Sequence, residues 1–358
     1  MMDDATLKAW LTVARMPHTG PRRFADILKH FDSPLAYLET QKRPSKAVEI
    51  GVENDLRWAE GENCHLITRA HKTYPTALTD IADPPPRLFV QGNPKALNQP
   101  QVAIVGARNA TNNGKDRAFE MAAMLATGGL TITSGLATGI DAHAHRGALA
   151  VQGQTIAVMA TGPERLYPQE NQYLADLIQQ SGALVTEMPV GTLVTRGLFP
   201  RRNRLISGLS LGTLVVEAGA KSGALGTAQQ ALEQNREVMA IPGSVQSPVA
   251  RGCHSLIRTG ASLIETAHDV FSTLKLDGNV IEPVDVIQTS QASPELDAEQ
   301  QRVMDALGYE AVSFDVLVKR LGLTPDRLSS MLLNLELLGL LIPTDGGRYE
   351  RSNQRTGG

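Results

Sequence analysis

The sequence predicts an α/β protein built on a doubly wound, mostly parallel sheet. A helical region precedes the sheet, and a small domain of helices and a hairpin follows it. From Gln101 onward the pattern repeats as strand, loop, helix. The candidate strands are continuously apolar, as expected when helices cover both faces of a sheet. That pattern changes character before residue 101 and again after residue 277. Alternating elements of this kind pair in parallel through right-handed crossovers.

In chain order, residues 1–72 read as a helical domain. Leu7, Trp10, Leu11 and Ala14 make one apolar stripe, and Phe24, Ile27, Leu28 and Phe31 make another. Between them, MPHTGPRR offers Gly20 for a tight turn and Pro21 to open the next helix. This resembles a degenerate helix-hairpin-helix, in which backbone N–H groups beside Arg22 and Arg23 could hold a phosphate. A plain packing module is the preferred reading of the same residues.

The second domain is expected over 73–277. It opens with YPTALTDIADPPPRLFVQGN, where Pro84, Pro85 and Pro86 favour an extended arm leading into a short strand over 88–90. Further strands are expected over 102–105, 130–133, 155–159, 183–186, 213–216 and 237–241. Helices are expected over 115–126, 142–151, 171–180 and 225–234. Residues 278–296, with Pro, Ser, Gln and Thr and little periodicity, read as a linker. The last domain, 297–352, has amphipathic stretches over 299–307, 314–320 and 327–338. Thr324-Pro325 supplies an N-cap and first helical position, and Gly339 a C-terminal stop. With a hairpin through Gly346-Gly347, this resembles a winged helix.

The totals bound the function. The 358 residues carry 42% hydrophobic and 20% charged residues, ordinary for a soluble protein with two or three domains. A formal net charge of −3 means any nucleic-acid role must come from a local basic patch. Cys64 and Cys253 show no disulfide or metal spacing. The start, MMDDATLKAW, lacks a signal-peptide pattern, and no apolar run reaches 18 residues, so a cytoplasmic protein without membrane insertion is expected.

The local patch is FPRRNRLISGLS. Arg201, Arg202 and Arg204 crowd around Asn203, with Phe199 just upstream and Arg196 before it. No carboxylate occurs between Glu187 and Glu217, so these guanidinium charges are expected to stand uncompensated. Planar fork donors beside an aromatic ring suit phosphate and base together. An exposed basic helix start would look the same.

Ligand sites in parallel sheets gather at the carboxyl ends of strands, and four loops map there. Gly106-Ala107-Arg108 precedes a helix whose N-terminus attracts anions, without the dinucleotide glycine pattern. SGLATGID, with Ser134, Gly135 and Gly139, could cradle phosphate on successive N–H groups. Asp141, His143 and His145 alternate there, but i and i+2 on a helix do not face each other. No metal is therefore expected, and Asp141 reads as a helix cap. TGPERLYPQEN reads as structural, with Asn171 capping the next helix. In EAGAKSGALGTA, Glu217 could be a base or a cap, and Lys221, Ser222 and Gly223 could reach an anion.

GAR, SGLATGID, YPQEN, FPRRNRLISGLS, VVEAGAKSGALGTAQQALEQNREVMAIPG and LIRTGA, in that order, resemble the DprA/Smf family of DNA-processing proteins. The resemblance covers about residues 74–264, and the front and tail are similar to that family's accessory domains. It implies a Rossmann-like core that binds single-stranded DNA in a basic pocket. It also implies self-association as a homodimer and loading of RecA recombinase during natural transformation, with no cofactor and no enzymatic activity. The residues matching the family's DNA pocket are Arg108, Arg196, Phe199, Arg201, Arg202, Asn203 and Arg204. The family's GSR loop is GAR here, which loses one hydroxyl and keeps Arg108. If Arg201 and Arg202 start a helix, one of them must point away.

Two other readings compete. KSGALGTAQQALE is reminiscent of nucleoside-monophosphate phosphoribohydrolases of the lysine-decarboxylase-like group, but the double glycine of their PGGxGT loop is missing and Glu233 sits too far on. A transcription regulator would read DNA with the helix over 326–338. Asp326 and Glu336 offset Arg327 there, unlike a major-groove reader.

Overall fold

Strand pairing places the switch in chain direction at the centre of the sheet. The computed structural model describes residues 3–276, 296–308, 311–344 and 346–351. The linker expected over 278–296 lies, apart from Leu296, outside them. The chain divides into two compact units, Met1–Pro283 and Val284–Gly358.

The first unit begins with α1 (Asp4–Arg15), α2 (Pro21–His30), α3 (Pro34–Glu39) and α4 (Lys46–Ala59). Trp10 stacks on Phe24 with ring centroids 5.0 Å apart, joining the two apolar stripes. The expected helical region does not stay helical to residue 72. Cys64–Thr68 forms β1, antiparallel to β2 (Arg87–Gly92), which is itself antiparallel to β6 (Ala183–Thr186). Five residues are too few to show a period, and only tertiary pairing reveals this edge strand. Trp58 of α4 meets Phe89 of β2 edge-on at 5.4 Å, so the front helices pack directly on the sheet. In the proline arm Tyr74 and Pro84, Pro85 and Pro86 are buried, with the Tyr74 hydroxyl donating to the Pro85 carbonyl at 2.8 Å.

The parallel strands are β3 (Gln101–Val105), β4 (Thr131–Ser134), β5 (Thr155–Val158), β6, β7 (Gly212–Val215), β8 (Glu237–Ala240) and β9 (Ser262–Leu263). Among the described residues the sheet has nine strands in the order β1-β2-β6-β5-β4-β3-β7-β8-β9. The chain winds outward from β3 to β6, then returns to lay β7 on the other side of β3. That makes β3/β7 the topological switch point, where a Rossmann-like fold opens a crevice.

The intervening helices are α5 (Asn112–Thr127), α6 (Ile140–Ala150), α7 (Gln172–Ser181), α8 (Leu198–Leu209), α9 (Gly223–Glu233), α10 (Arg251–Arg258) and α11 (Ala267–Thr273). Alternate residues of β3 feed opposite cores, as a strand's period of two requires. Ala103 and Val105 join the cluster containing Leu205 and Ile206 of α8, while Val102 and Ile104 join that of Met121 and Leu125 of α5.

In the second unit, α12 (Ala298–Leu307), α13 (Phe314–Leu321) and α14 (Pro325–Leu337) pack on a three-stranded sheet. Its strands are β10 (Val312–Ser313), β11 (Leu341–Thr344) and β12 (Arg348–Arg351), in the order β10-β12-β11. This is the winged-helix arrangement, with β10 added to the expected hairpin. Thr324 stands at the N-cap before Pro325 without a side-chain cap bond, and Gly339 takes the left-handed φ of 69° that stops α14.

Candidate nucleic-acid interface

The stretch FPRRNRLISGLS is helical almost throughout. α8 starts behind Gly197, where Pro200 is tolerated in the first turn, and buries Leu205, Ile206 and Leu209 against the sheet. Its N-terminus follows β6, so it opens at the carboxyl ends of the strands. There the Arg108 guanidinium lies over the Phe199 ring, 5.0 Å from its centroid. Tyr167 approaches the same ring at 5.8 Å with planes tilted by 57°, and 42% of Tyr167 is exposed. Arg108 and Arg196 are exposed, Asn203 is half-buried, and among the described residues neither Arg108 nor Arg196 forms an ion pair.

The neighbouring arginines behave differently. The Arg204 Nη2 donates to Glu187 Oε2 at 2.5 Å, and its Nε lies 3.4 Å from Asp83 Oδ2. Arg202 is buried and donates from Nη1 to the Val158 carbonyl at 2.9 Å. Burial pushes its guanidinium down to about 10, against the favourable charge of Asp141. The same burial raises the Asp141 carboxyl, which Arg202 pulls back down. Arg201 Nε lies 3.4 Å from Glu187 Oε1. The expectation of uncompensated charge is thus corrected for Arg201 and Arg204. The compensating Glu187 bounds the carboxylate-free stretch, and Asp83 arrives from the proline arm.

Four of the phosphate-loop candidates, Gly106, Ser134, Gly135 and Gly139, turn inward. A Cβ on Gly106 would lie 2.5 Å from Ile140 Cγ1, so this glycine serves close packing. Ser134 donates its hydroxyl to the Ile104 carbonyl at 2.6 Å, and the Gly135 N–H donates to Asp141 Oδ2 at 3.1 Å. A side chain on Gly135 would overlap the Arg202 guanidinium, and Gly139, at φ 77°, packs on the carbonyls of Ala107 and Arg108. The SGLATGID loop is therefore closed around an internal guanidinium. Asp141 is not the N-cap of α6, a position held by Gly139. Asn171 precedes α7 without a side-chain cap bond, donating instead to the Leu136 carbonyl at 2.8 Å.

At the switch point, Glu217 accepts from the Thr111 N–H at 2.9 Å and from its hydroxyl at 2.6 Å. An internal carboxylate thus occupies the start of α5, where an external anion was expected. Ser222 caps α9 by accepting from the Ala224 N–H at 3.3 Å, while Lys221 and Gly223 remain exposed. Glu233 lies at the far end of α9, holding Gln229 and Gln230. His145 is buried, with Nδ1 2.7 Å from the Thr155 hydroxyl. That hydroxyl donates to the Ile132 carbonyl, so Nδ1 carries the proton. Burial, aided by Arg202, holds this imidazole down to about 3. Among the described residues no three His, Cys, Asp or Glu side chains are placed to hold a metal, and no helix is long and apolar enough to cross a membrane.

Sequence reasoning missed Tyr167 beside Phe199 on the candidate face, and Glu187 and Asp83 behind it. Tyr167 carried a signal, an aromatic beside proline in a loop at a strand's carboxyl end. On α14, Arg327 pairs with Glu299 at 2.5 Å and Leu337 is 77% exposed, a surface without the charge of a groove reader.

Comparison with known proteins bears on the family and the fold. The family model for DNA recombination-mediator protein A matches residues 65–275, and the DprA winged helix domain matches residues 288–347. Protein Smf of Escherichia coli is 40% identical over 304 residues, covering 83% of this chain and 80% of its own. DprA from Streptococcus pneumoniae superposes with a TM-score of 0.64 at 31% identity, covering 76% of this chain and 98% of its own. DprA from Helicobacter pylori, described for its single-stranded DNA binding mode, gives 0.54 at 29% identity, covering 60% and 97%. The sheet order, the motifs that build the strand-end face and the winged-helix tail converge on one conclusion: the chain belongs to the DNA recombination-mediator protein A family, the DprA/Smf DNA-processing proteins.

Proposed function

We propose that this chain binds single-stranded DNA across the face carried by Arg108, Arg196, Phe199 and Tyr167, without catalysing a reaction on it. The observation that carries the reading is Arg108 stacked 5.0 Å over the Phe199 ring at the strand ends. Guanidinium groups without carboxylate partners are available to phosphates, and an adjacent ring is available to a base. Bases in a duplex are stacked and paired, so only a single strand offers them to such a ring. Glu217 and Glu233 are engaged with Thr111 and with Gln229 and Gln230, which argues against either as the acid or base of a nucleotide hydrolase. Arg202 and Arg204 act on this reading from behind, as supports for the face.

The family membership and the bound strand of a relative's name extend the proposal. The protein works in the cytoplasm as a homodimer, protects incoming single strands and helps load RecA recombinase on them during DNA uptake and recombination. The test is fluorescence anisotropy with single-stranded and blunt duplex oligomers across a salt series. Single strands should bind more tightly, with little sequence preference. With about three phosphates neutralised, the log–log salt slope should be near −2, at roughly 0.7 per contact. Equal affinity for duplex, or a flat salt response, would reject the reading. RecA filament nucleation on single strands coated with the protein tests the loading step.

A further inference from the structure

The front helices meet the interface through a buried ion pair. Asp55 of α4 is fully buried, and its carboxylate accepts from Arg15 Nε and Nη2, each at 2.6 Å. Asp55 Oδ1 also accepts from the Val190 N–H at 3.0 Å, and Arg15 Nη2 donates to the Val190 carbonyl at 3.0 Å. Both backbone groups of one loop residue are thus held by α1 and α4. Gly51 makes room for this arrangement, because a Cβ there would lie 2.5 Å from Arg15 Nη1.

Val190 roots the segment from β6 to α8, whose outer part, Leu193 to Gly197, is exposed and carries Arg196. Beyond Val190 the segment is held by the Gly191 N–H donating to Glu164 Oε1 at 2.9 Å and the Gly162 N–H donating to the Thr192 carbonyl at 3.1 Å. The 162–164 turn leads on to Tyr167. After Thr195, whose carbonyl accepts from the Leu198 N–H at 3.2 Å, the chain enters α8 at Leu198, one residue before Phe199.

A buried ion pair is weak evidence for stability, because desolvation offsets much of its attraction. Its geometric effect is more specific, since a bidentate fork fixes direction as well as distance. We infer that Arg15 and Asp55 are positioning residues for the single-strand interface: they fix Val190, and through it the approach of Arg196 and Phe199. The front helices would then be part of the DNA-binding apparatus, although neither residue touches the ligand. This inference rests on the single-strand reading above.

The test compares full-length variants by anisotropy with a fluorescein-labelled oligo(dT). Arg15→Met/Asp55→Leu removes both charges of the pair together, and buried Arg87, which Asp55 favours and Arg15 opposes, loses both influences at once and keeps Glu187. The variant should stay folded by circular dichroism, bind about fivefold more weakly, and exchange amide hydrogens faster over 190–197. Phe199→Ala should then cost less affinity in this background than in the natural sequence, because its placement is already lost. Unchanged affinity in the folded double variant, or fully additive losses, overturns the inference. Gly51→Ala decides if the double variant does not fold: it pushes the Arg15 guanidinium aside without changing charge and favours the helix. It should weaken binding in the same direction, and unchanged affinity overturns the inference equally. If Phe199→Ala alone leaves affinity unchanged, the single-strand reading itself has failed, and this inference falls with it.

Discussion

On the inner side of α8, Arg204 is buried between Glu187 and Asp83; at its rim, Arg201 keeps 46% of its side chain exposed near the same Glu187. Arg202 turns the third way, under the SGLATGID loop, where it fills the space left by Gly135. Outside them stand Arg108 and Arg196, without carboxylate partners among the described residues. One helix and its flanks therefore use the same residue type in two ways. The inner guanidinium groups fix the helix to the sheet and to the proline arm. The outer ones leave charge facing solvent at the strand ends. What a guanidinium does is decided by what the fold sets opposite it.

The sharpest way to separate the two sides is to remove an inner arginine. Arg204→Ala orphans Glu187, a carboxylate buried with only Arg201 left beside it. Breaking a buried pair on one side costs about 3–5 kcal/mol, so urea unfolding should show a loss of that size. The fraction that remains folded should bind single strands nearly as well as the natural protein. A large affinity loss without a stability loss would move Arg204 to the outer side.

The inner side also carries a pH signature. His145 titrates near 6.5 when unfolded but only near about 3 when folded. Between those values the unfolded chain binds more protons, so stability falls as pH drops through that window. Asp141 opposes this above 3.8, because burial raises its carboxyl and the folded state keeps its proton more readily. His145→Gln should therefore flatten the acid limb of stability by up to about 1.4 kcal/mol per pH unit. An unchanged limb would place the titration elsewhere.

Phe199→Ala moves to the outer side and should act on binding instead. Loss of a stacked base costs about 1–3 kcal/mol of affinity with the salt slope unchanged, because stacking releases no counterions. Phe199 is only half-buried, so unfolding free energy should change far less than the roughly 3–5 kcal/mol of a core Phe→Ala. A stability loss of that size would show that the ring belongs to the core.

The sequence made the strands legible because continuous apolar runs need no partner to be seen. Expected strands over 102–105 and 183–186 stand within a residue of Gln101–Val105 and Ala183–Thr186. The association of Arg108 with Phe199 was reachable as well, since a wound sheet brings distant strand ends together. Direction was harder to read. Glu187 lies 17 residues from Arg204, and Glu217 lies 106 from Thr111, so local spacing carries no trace of either bond. The difference between a free basic patch and an internally neutralised one is therefore settled by tertiary contacts. β1 was hidden for the same reason: its antiparallel partner β2 begins only at Arg87, across the loop and the proline arm.

Arg201 stands on the boundary, and its replacement should have the smallest effect. Its Nε is 3.4 Å from Glu187 Oε1, a long contact for an ion pair, and nearly half of the side chain meets solvent. Exposed pairs of this kind contribute roughly 0–1 kcal/mol, and Glu187 keeps its stronger partner Arg204. Arg201→Ala should thus lower stability by less than about 1 kcal/mol. Its effect on DNA is read from the salt slope, where Arg108→Ala supplies the standard. Arg108 has no acidic partner among the described residues, so its loss should reduce the slope by about 0.7, one phosphate contact. Arg201 is already half-neutralised by Glu187, and a phosphate would have to compete with that carboxylate. Its loss should reduce the slope by less than that of Arg108, with affinity falling in proportion. A full 0.7 for Arg201 would mean that it leaves Glu187 when DNA arrives, and that Arg204 alone holds the carboxylate in the complex. No change at all would put Arg201 with the inner arginines and leave Arg108 and Arg196 as the phosphate contacts of the face.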